Sequence, residues 1–292
     1  MQTLLLVLII VILFAEFGLN RILSVLNIRN SRAPLPPELS GIYSPESYDR
    51  QQDYFRTNVR FGTISATFNL LLITGMYLTG GFGWLDSWLT TVITNEILRS
   101  LLFFGILFVV SDVLNIPFDW YDTFVIEEKF GFNKVTPSLF IIDKLKSTLL
   151  MIVLGGGILA LIIRIYQLTS DYFWILTFGL TTLVGLLFSM FYSEWIVPLF
   201  NKQTPLEEGE LRESISAFAS KAGFQIDNIY VIDGSRRSTK ANAYFSGFGP
   251  RKRIVLYDTL IRQMTIEEIV AVLAHEIGHY KHRHVAKGLL LS

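Results

Sequence analysis

The sequence predicts a mainly α protein: a polytopic membrane helix bundle followed by a small α+β domain built around a metal-binding helix. Three observations carry this reading. Hydrophobic residues make up 51% of the 292 and charged residues only 17%, a balance unlike that of ordinary soluble domains. The apolar excess sits in long runs within the first two thirds of the chain, as membrane spans do. Near the end, His275 and His279 stand four apart with Glu276 between them, inside an apolar helical pattern.

The first apolar run covers Leu4 to about Leu19. It has neither the basic n-region nor the small-residue cleavage site of a secretory signal, so it reads as an uncleaved span. Glu16 lies near its end and is expected at an interface. A polar segment from about Asn20 to Arg60, with Pro34, Pro36, Pro37 and six arginines, reads as a loop with at most a short helix. The second span is expected at about Gly62–Thr79, followed by a connection, GGFGWLDSWLTTVITN, without Lys or Arg. A third span covers about Ser100–Leu114, with Asp112 near its end. The stretch from Ile116 to Lys146 reads as a charged loop.

A fourth span is expected at about Leu149–Ile165. The triplet Gly155-Gly156-Gly157 in its middle suggests close helix packing or a bend. After the connection YQLTSDY, a fifth span runs from about Phe173 to Tyr192. Basic residues are plentiful after the first, third and fifth spans and nearly absent after the second and fourth. The positive-inside rule therefore puts the N-terminus outside and the polar C-terminal part in the cytosol. The expected division is a membrane domain of residues 1–200, with about five transmembrane helices, and a second domain over 201–292.

In the second domain, Leu206–Ala222 reads as an amphipathic helix stopped by Gly223. Ile229–Ile232 and Ile254–Tyr257 are β-rich, and a glycine-studded polar segment, Gly234–Gly249, separates them. An exposed edge strand in that region would let an extended peptide add itself by main-chain hydrogen bonds. Thr265 with Glu268 forms a capping box that opens the last helix. Ile266, Ile269, Val270, Leu273 and Ile277 then recur at helical spacing and should bury one side. The apolar run begun at Val285 reads as the start of a further span.

On that helix His275 and His279 fall on one face, about 6 Å apart along the axis. Two neutral imidazoles so placed can chelate one zinc ion, and Glu276 can serve as general base toward water. The zero net charge and absence of cysteine leave His and carboxylate as the metal ligands and point to no nucleic-acid partner. A third ligand is needed. His282 lies about 10 Å along the axis from His275, too far for one ion, and Val285 stands where a third histidine of another zinc-protease pattern would sit. Glu207, Glu208, Glu267 and Asp258 have no favourable spacing. The third ligand is expected to be a carboxylate beyond Ser292, which makes the zinc-peptidase domain incomplete at its C-terminus and the 292-residue form weak in zinc and activity.

These segments together resemble the membrane-integral type I CAAX prenyl endopeptidases, a family of zinc metalloproteases. The resemblance is carried by Pro36-Pro37-Glu38-Leu39, the TFVIEEKFGFN run of residues 123–133, and PLFNKQTPLE at 198–207. Also matching are Asp233-Gly-Ser-Arg-Arg-Ser238, Ala241-Asn242-Ala243-Tyr244-Phe245, KRIVLYDTLI at 252–261, and His275-Glu-Ile-Gly-His279 with His284. It implies a seven-span protease with an intramembrane chamber, zinc held by His275 and His279, and Glu276 as base. It further implies substrate binding by Asn242 and Tyr244, and peptide or protein substrates, prenylated at the C-terminus or otherwise membrane-associated. The rival reading is a non-enzymatic scaffold or transporter with a structural zinc helix. A transporter should carry ionisable groups in mid-span, whereas Glu16 and Asp112 lie near span ends. The short segment between Leu260 and the metal helix favours a bacterial inner membrane over the endoplasmic reticulum.

Overall fold

The computed structural model describes residues 2–39, 41–223, 228–246 and 253–281. Ten helices are described: α1 (Gln2–Asn30), α2 (Pro45–Leu78), α3 (Gly81–Val92), α4 (Glu96–Tyr121), α5 (Pro137–Thr169), α6 (Phe173–Trp195), α7 (Val197–Phe200), α8 (Glu210–Lys221), α9 (Asp258–Gln263) and α10 (Ile266–Lys281). Four strands accompany them: β1 (Gln203–Pro205), β2 (Asn228–Ile232), β3 (Ala243–Ser246) and β4 (Arg253–Tyr257).

Five helical stretches are long and apolar enough to cross a membrane: Thr3–Asn30, Pro45–Leu78, Glu96–Glu127, Pro137–Thr169 and Phe173–Phe200. Their apolar side chains point outward, Phe178 at 70% and Leu149 at 62% exposure. A water-soluble chain would not display such continuous apolar faces. The protein is an integral membrane protein, and each expected span is present. The helices overrun the spans, however. The polar segment after the first span is mostly helix, with only residues 31–44 left as a connection around a 3₁₀ turn at Pro37–Leu39. The expected loop from Ile116 is also corrected: α4 continues through Pro117 and into a π-helical turn at Asp122–Glu127. The arginine-free connection after the second span folds as α3.

Residues 1–131 and 145–164 form one compact unit, and residues 132–144 and 165–292 the other. Within the first unit, polar side chains tie the helices where water is excluded. Arg21 donates to the Thr63 hydroxyl. The side-chain amides of Asn69 and Asn115 exchange hydrogen bonds of 3.0 and 3.2 Å between α2 and α4, and Thr148 donates to Asp112 Oδ2 at 2.8 Å between α4 and α5. The three glycines of α5 do not mediate close packing among the described residues. A Cβ at Gly156 or Gly157 would meet nothing within 4 Å, and the triplet lines an apolar cavity of about 870 Å³ beside Leu101, Gly105 and Val109 of α4.

In the second unit the sheet order is β1-β2-β4-β3, with β2 and β4 parallel and both outer pairs antiparallel. Alternation along the strands divides the side chains between two faces. Ile229, Ile254, Leu256 and Ala243 join Ile215 and Ala219 of α8, Leu260 of α9 and Ile269, Leu273 and Ile277 of α10 in one buried core. Ile232 and Val255 face the other way and pack with Val197, Tyr230 and Tyr244. The amphipathic helix starts at Glu210, not Leu206: Leu206 still follows the β1–β2 pairing, its N–H donating to the Ile229 carbonyl at 2.9 Å. Its stop is as expected: Gly223 has φ +74°, the left-handed conformation that glycine adopts without steric cost.

Candidate active site

Helix α10, which carries His275, is set by its first turn and by one stripe. The Thr265 N–H donates to Glu268 Oε2 at 2.8 Å and the Glu268 N–H to Thr265 Oγ1 at 3.3 Å, so the expected capping box forms in both directions. Ile269, Leu273 and Ile277 are 1–3% exposed and fasten α10 to the sheet and α8. Because each residue turns the helix by about 100°, His275 lies about 160° around from Leu273, on the face turned away from the core. It is exposed, and Glu276 beside it is half-buried. The helical backbone continues through position 279, one turn beyond His275. The side chain of His279 lies outside the described residues, as do His282, His284 and the stretch from Val285.

Two imidazole positions at i and i+4 with an adjacent carboxylate fit a zinc ion by the chemistry of their donors. Among the described residues no group of three His, Cys, Asp or Glu side chains is gathered to hold a metal. The four carboxylates weighed from the sequence are placed elsewhere. Glu207 and Glu267 are exposed, and Glu208 pairs with Arg212 at 3.2 Å. Asp258 accepts from the Ser235 N–H at 2.8 Å and from the Ser235 hydroxyl, and pairs with Arg262 at 3.0 Å. Burial alone would raise the Asp258 carboxyl. The two Ser235 hydrogen bonds and the Arg262 guanidinium outweigh it and hold the group below the usual carboxylate range.

Beside α10 in the core runs β3, at one edge of the sheet. The Tyr257 N–H donates to the Asn242 carbonyl at 3.0 Å. With Tyr244 opposite Val255, the antiparallel alternation turns the main-chain groups of Tyr244 toward β4 and those of Ala243 and Phe245 toward the edge left open among the described residues. The outward Ala243 N–H is met locally by Asn242 Oδ1 at 2.9 Å, and Asn242 is itself exposed. Among the described residues this edge leaves the Ala243 carbonyl and the N–H and carbonyl of Phe245 for a peptide to pair with.

Tyr244 has a different position. Its ring points to the opposite face of the sheet, packs with Tyr257 at a centroid separation of 6.5 Å, and brings its hydroxyl to 3.5 Å from Ser193 Oγ. Burial pushes its phenol above the ordinary tyrosine value, with the Ser193 contact opposing. Neither its side chain nor its main chain faces the edge that Ala243 and Phe245 present. The sheet is further tied to α6 by Arg253, which reaches Glu194 at 2.5 Å and lies over the Tyr230 ring at 4.8 Å.

Sequence reading missed the support of the segment leading into β3. Gly234 sits so near Tyr257 that a Cβ there would come within 2.3 Å of ring carbon Cδ1. Arg237 forms a forked pair with Asp143 at 2.8 and 3.0 Å. These partners are far apart in the chain, and no local pattern signals them. The TFVIEEKFGFN run was singled out, but its fastening was not. Arg50 donates to the Phe130 carbonyl at 2.7 Å, and Tyr54 donates to Glu127.

Comparison with known proteins places both halves. Residues 24–202 match the family described as CAAX prenyl protease N-terminal, five membrane helices, and residues 205–292 match peptidase family M48. CAAX prenyl protease 1 of Saccharomyces cerevisiae is 38% identical over 274 residues, covering 90% of this chain and 60% of the relative. A CAAX prenyl protease 1 homolog of Dictyostelium discoideum is 40% identical over 278 residues, covering 91% of this chain and 65% of that one. The crystal structure of S. mikatae Ste24p superposes with a TM-score of 0.91 at 35% identity, covering 98% of this chain and 69% of the other. The chain thus spans 60–65% of the length of these two curated relatives.

Proposed function

Since the chain belongs to peptidase family M48, joined to the membrane helices of the CAAX prenyl protease N-terminal family, we propose that it is an integral-membrane zinc endopeptidase. It cuts peptide bonds near the C-terminus of prenylated or other membrane-associated substrates. The observation that carries this is the pairing of an open edge strand, β3, with a capped, core-anchored helix that presents His275 and Glu276. His275 and His279 would hold the zinc, with one carboxylate as the third ligand. Zinc, when bound, supplies positive charge that polarises a carbonyl and acidifies water.

The chain's own residues do the rest. Glu276 takes a proton from the attacking water onto its carboxylate and returns it to the leaving amine nitrogen. Asn242 and the outward groups of Ala243 and Phe245 hold the substrate backbone extended, which restricts the reacting bond before chemistry begins. Tyr244 keeps that strand in place. The charge asymmetry of the connections supports an N-terminus outside and a cytosolic peptidase domain. The named relatives come from eukaryotes, which lends no support to a bacterial inner membrane.

The test uses a peptide ending in a prenylated cysteine plus three residues, its unprenylated twin, and the purified protein in detergent with and without a zinc chelator. Release of the C-terminal tripeptide, lost on chelation, supports the assignment. Failure to cleave either peptide by protein that holds zinc on a complete set of three ligands contradicts it.

A further inference from the structure

The loop of residues 234–240 leads into the candidate substrate strand and is gripped from two sides. On one side stands the segment that opens α5. Arg237 Nε donates to Asp143 Oδ2 at 2.8 Å and Nη2 to Oδ1 at 3.0 Å, and the two side chains are 20% and 21% exposed. The Lys134 N–H donates to the Arg237 carbonyl at 3.0 Å, and the Thr239 N–H to the Phe132 carbonyl at 3.1 Å. Asn133 and Ser238 form an antiparallel bridge, and the Lys240 ammonium lies 4.8 Å over the Phe132 ring. On the other side stands α9, where the Thr259 hydroxyl donates to the Lys240 carbonyl at 2.9 Å and the Gln263 amide to the Thr239 carbonyl at 2.8 Å.

We propose that Arg237, locked by Asp143, is a positioning residue for the substrate strand: the forked pair fixes the loop on the first turns of α5 and so sets where Asn242 and the open edge of β3 begin. Only Ala241 separates the gripped Lys240 from Asn242, so the loop has no slack to absorb a shift. Arg237 Nη1 is buried without a hydrogen-bond partner, which leaves the Asp143 fork to decide the guanidinium's place. A lysine supplies charge but no fork. The pair lies in neither of the two buried hydrophobic clusters, so its loss should loosen the loop and strand locally and leave α10 in place. The catalytic consequence rests on the peptidase reading above; the fixing of the strand does not.

Two readouts separate these. Hydrogen exchange follows the amides of Thr239–Ser246 and, apart from them, those of α10, in the wild type, Arg237→Lys, Asp143→Asn and the exchanged pair Arg237→Asp with Asp143→Arg. In both single variants, exchange over Thr239–Ser246 should quicken by on the order of tenfold, with α10 protection, melting temperature and zinc content unchanged. The exchanged pair should recover part of the protection. In cleavage assays the single variants should raise KM several-fold more than they lower kcat, because the strand binds but does not react. Unchanged exchange in the single variants overturns the proposal. So does a uniform loss across α10 and the melting temperature without recovery in the exchanged pair. If unsubstituted protein with a complete zinc site cleaves no peptide, the peptidase reading falls and the exchange result alone decides the positioning role.

Discussion

Thr265 and Glu268 cap α10 reciprocally, each main-chain N–H donating to the other's side-chain oxygen, at 2.8 and 3.3 Å. This fixes the start of α10, and the helix from there delivers His275 and Glu276 ten and eleven residues on. Replacing Thr265 with Ala should cost about 1 kcal/mol, read as a lower melting temperature and faster amide exchange in the first turn of α10. An unaffected first turn would show that the core stripe alone sets where the helix begins.

Leu273, 1% exposed between α10, α8 and the sheet, is the middle anchor of that stripe. Leu273→Ala should destabilise the peptidase unit by about 2–5 kcal/mol through the lost burial and the cavity left behind. His275 itself is not altered by the change. The expected signature is a lower melting temperature together with weakened zinc retention, measured by metal analysis after dialysis.

Asp258 gives the peptidase unit a pH dependence of known sign. Its carboxyl is held below the usual range in the folded protein, so the unfolded chain takes up the proton first as pH falls. The stabilisation is therefore full above about pH 4, the unfolded carboxylate value, and is lost as pH falls through the lower folded value. Asp258→Asn should remove that part of the acid-side slope in melting temperature against pH. An unchanged slope would mean that Ser235 and Arg262 do not favour the ionised form.

Orientation in the membrane is tested by reporters fused within Gly80–Val92 and after Asn201. The first should lie outside and the second in the cytosol. Finding both on one side would remove at least one of the spans between them.

Much of this architecture was legible in the sequence, and the gaps have physical causes. Hydropathy marks the part of a helix that lies in lipid, so the five spans were found but not their polar extensions, such as α4 beyond Ile116 or α2 before Gly62. Helix α3 was read as a connection because its apolar stretch is too short to span. The capping box and the Ile269–Leu273–Ile277 stripe are local patterns and could be read directly. The edge position of β3 and the outward groups of Ala243 and Phe245 depend on pairing with β4, which no local pattern states. Tyr244 lay beside Asn242 in a recognisable run, yet strand alternation turns it to the other face, against Ser193. The Arg237–Asp143 fork joins residues 94 apart, and a single sequence holds no signal for it.

The central claim is that Glu276 is the base of a zinc peptidase whose metal is held by the imidazoles flanking it. Zinc content and cleavage of the prenylated peptide, measured together on Glu276→Gln and unsubstituted full-length protein carrying the third zinc ligand, test it most directly. The substitution leaves both imidazoles and the shape of the side chain in place and removes the carboxylate that takes the proton. Zinc should be retained at the wild-type level while cleavage falls by about 10²–10⁴-fold, the usual contribution of a positioned general base. Turnover close to wild type with zinc bound would contradict the role assigned to Glu276 and with it the account of this site.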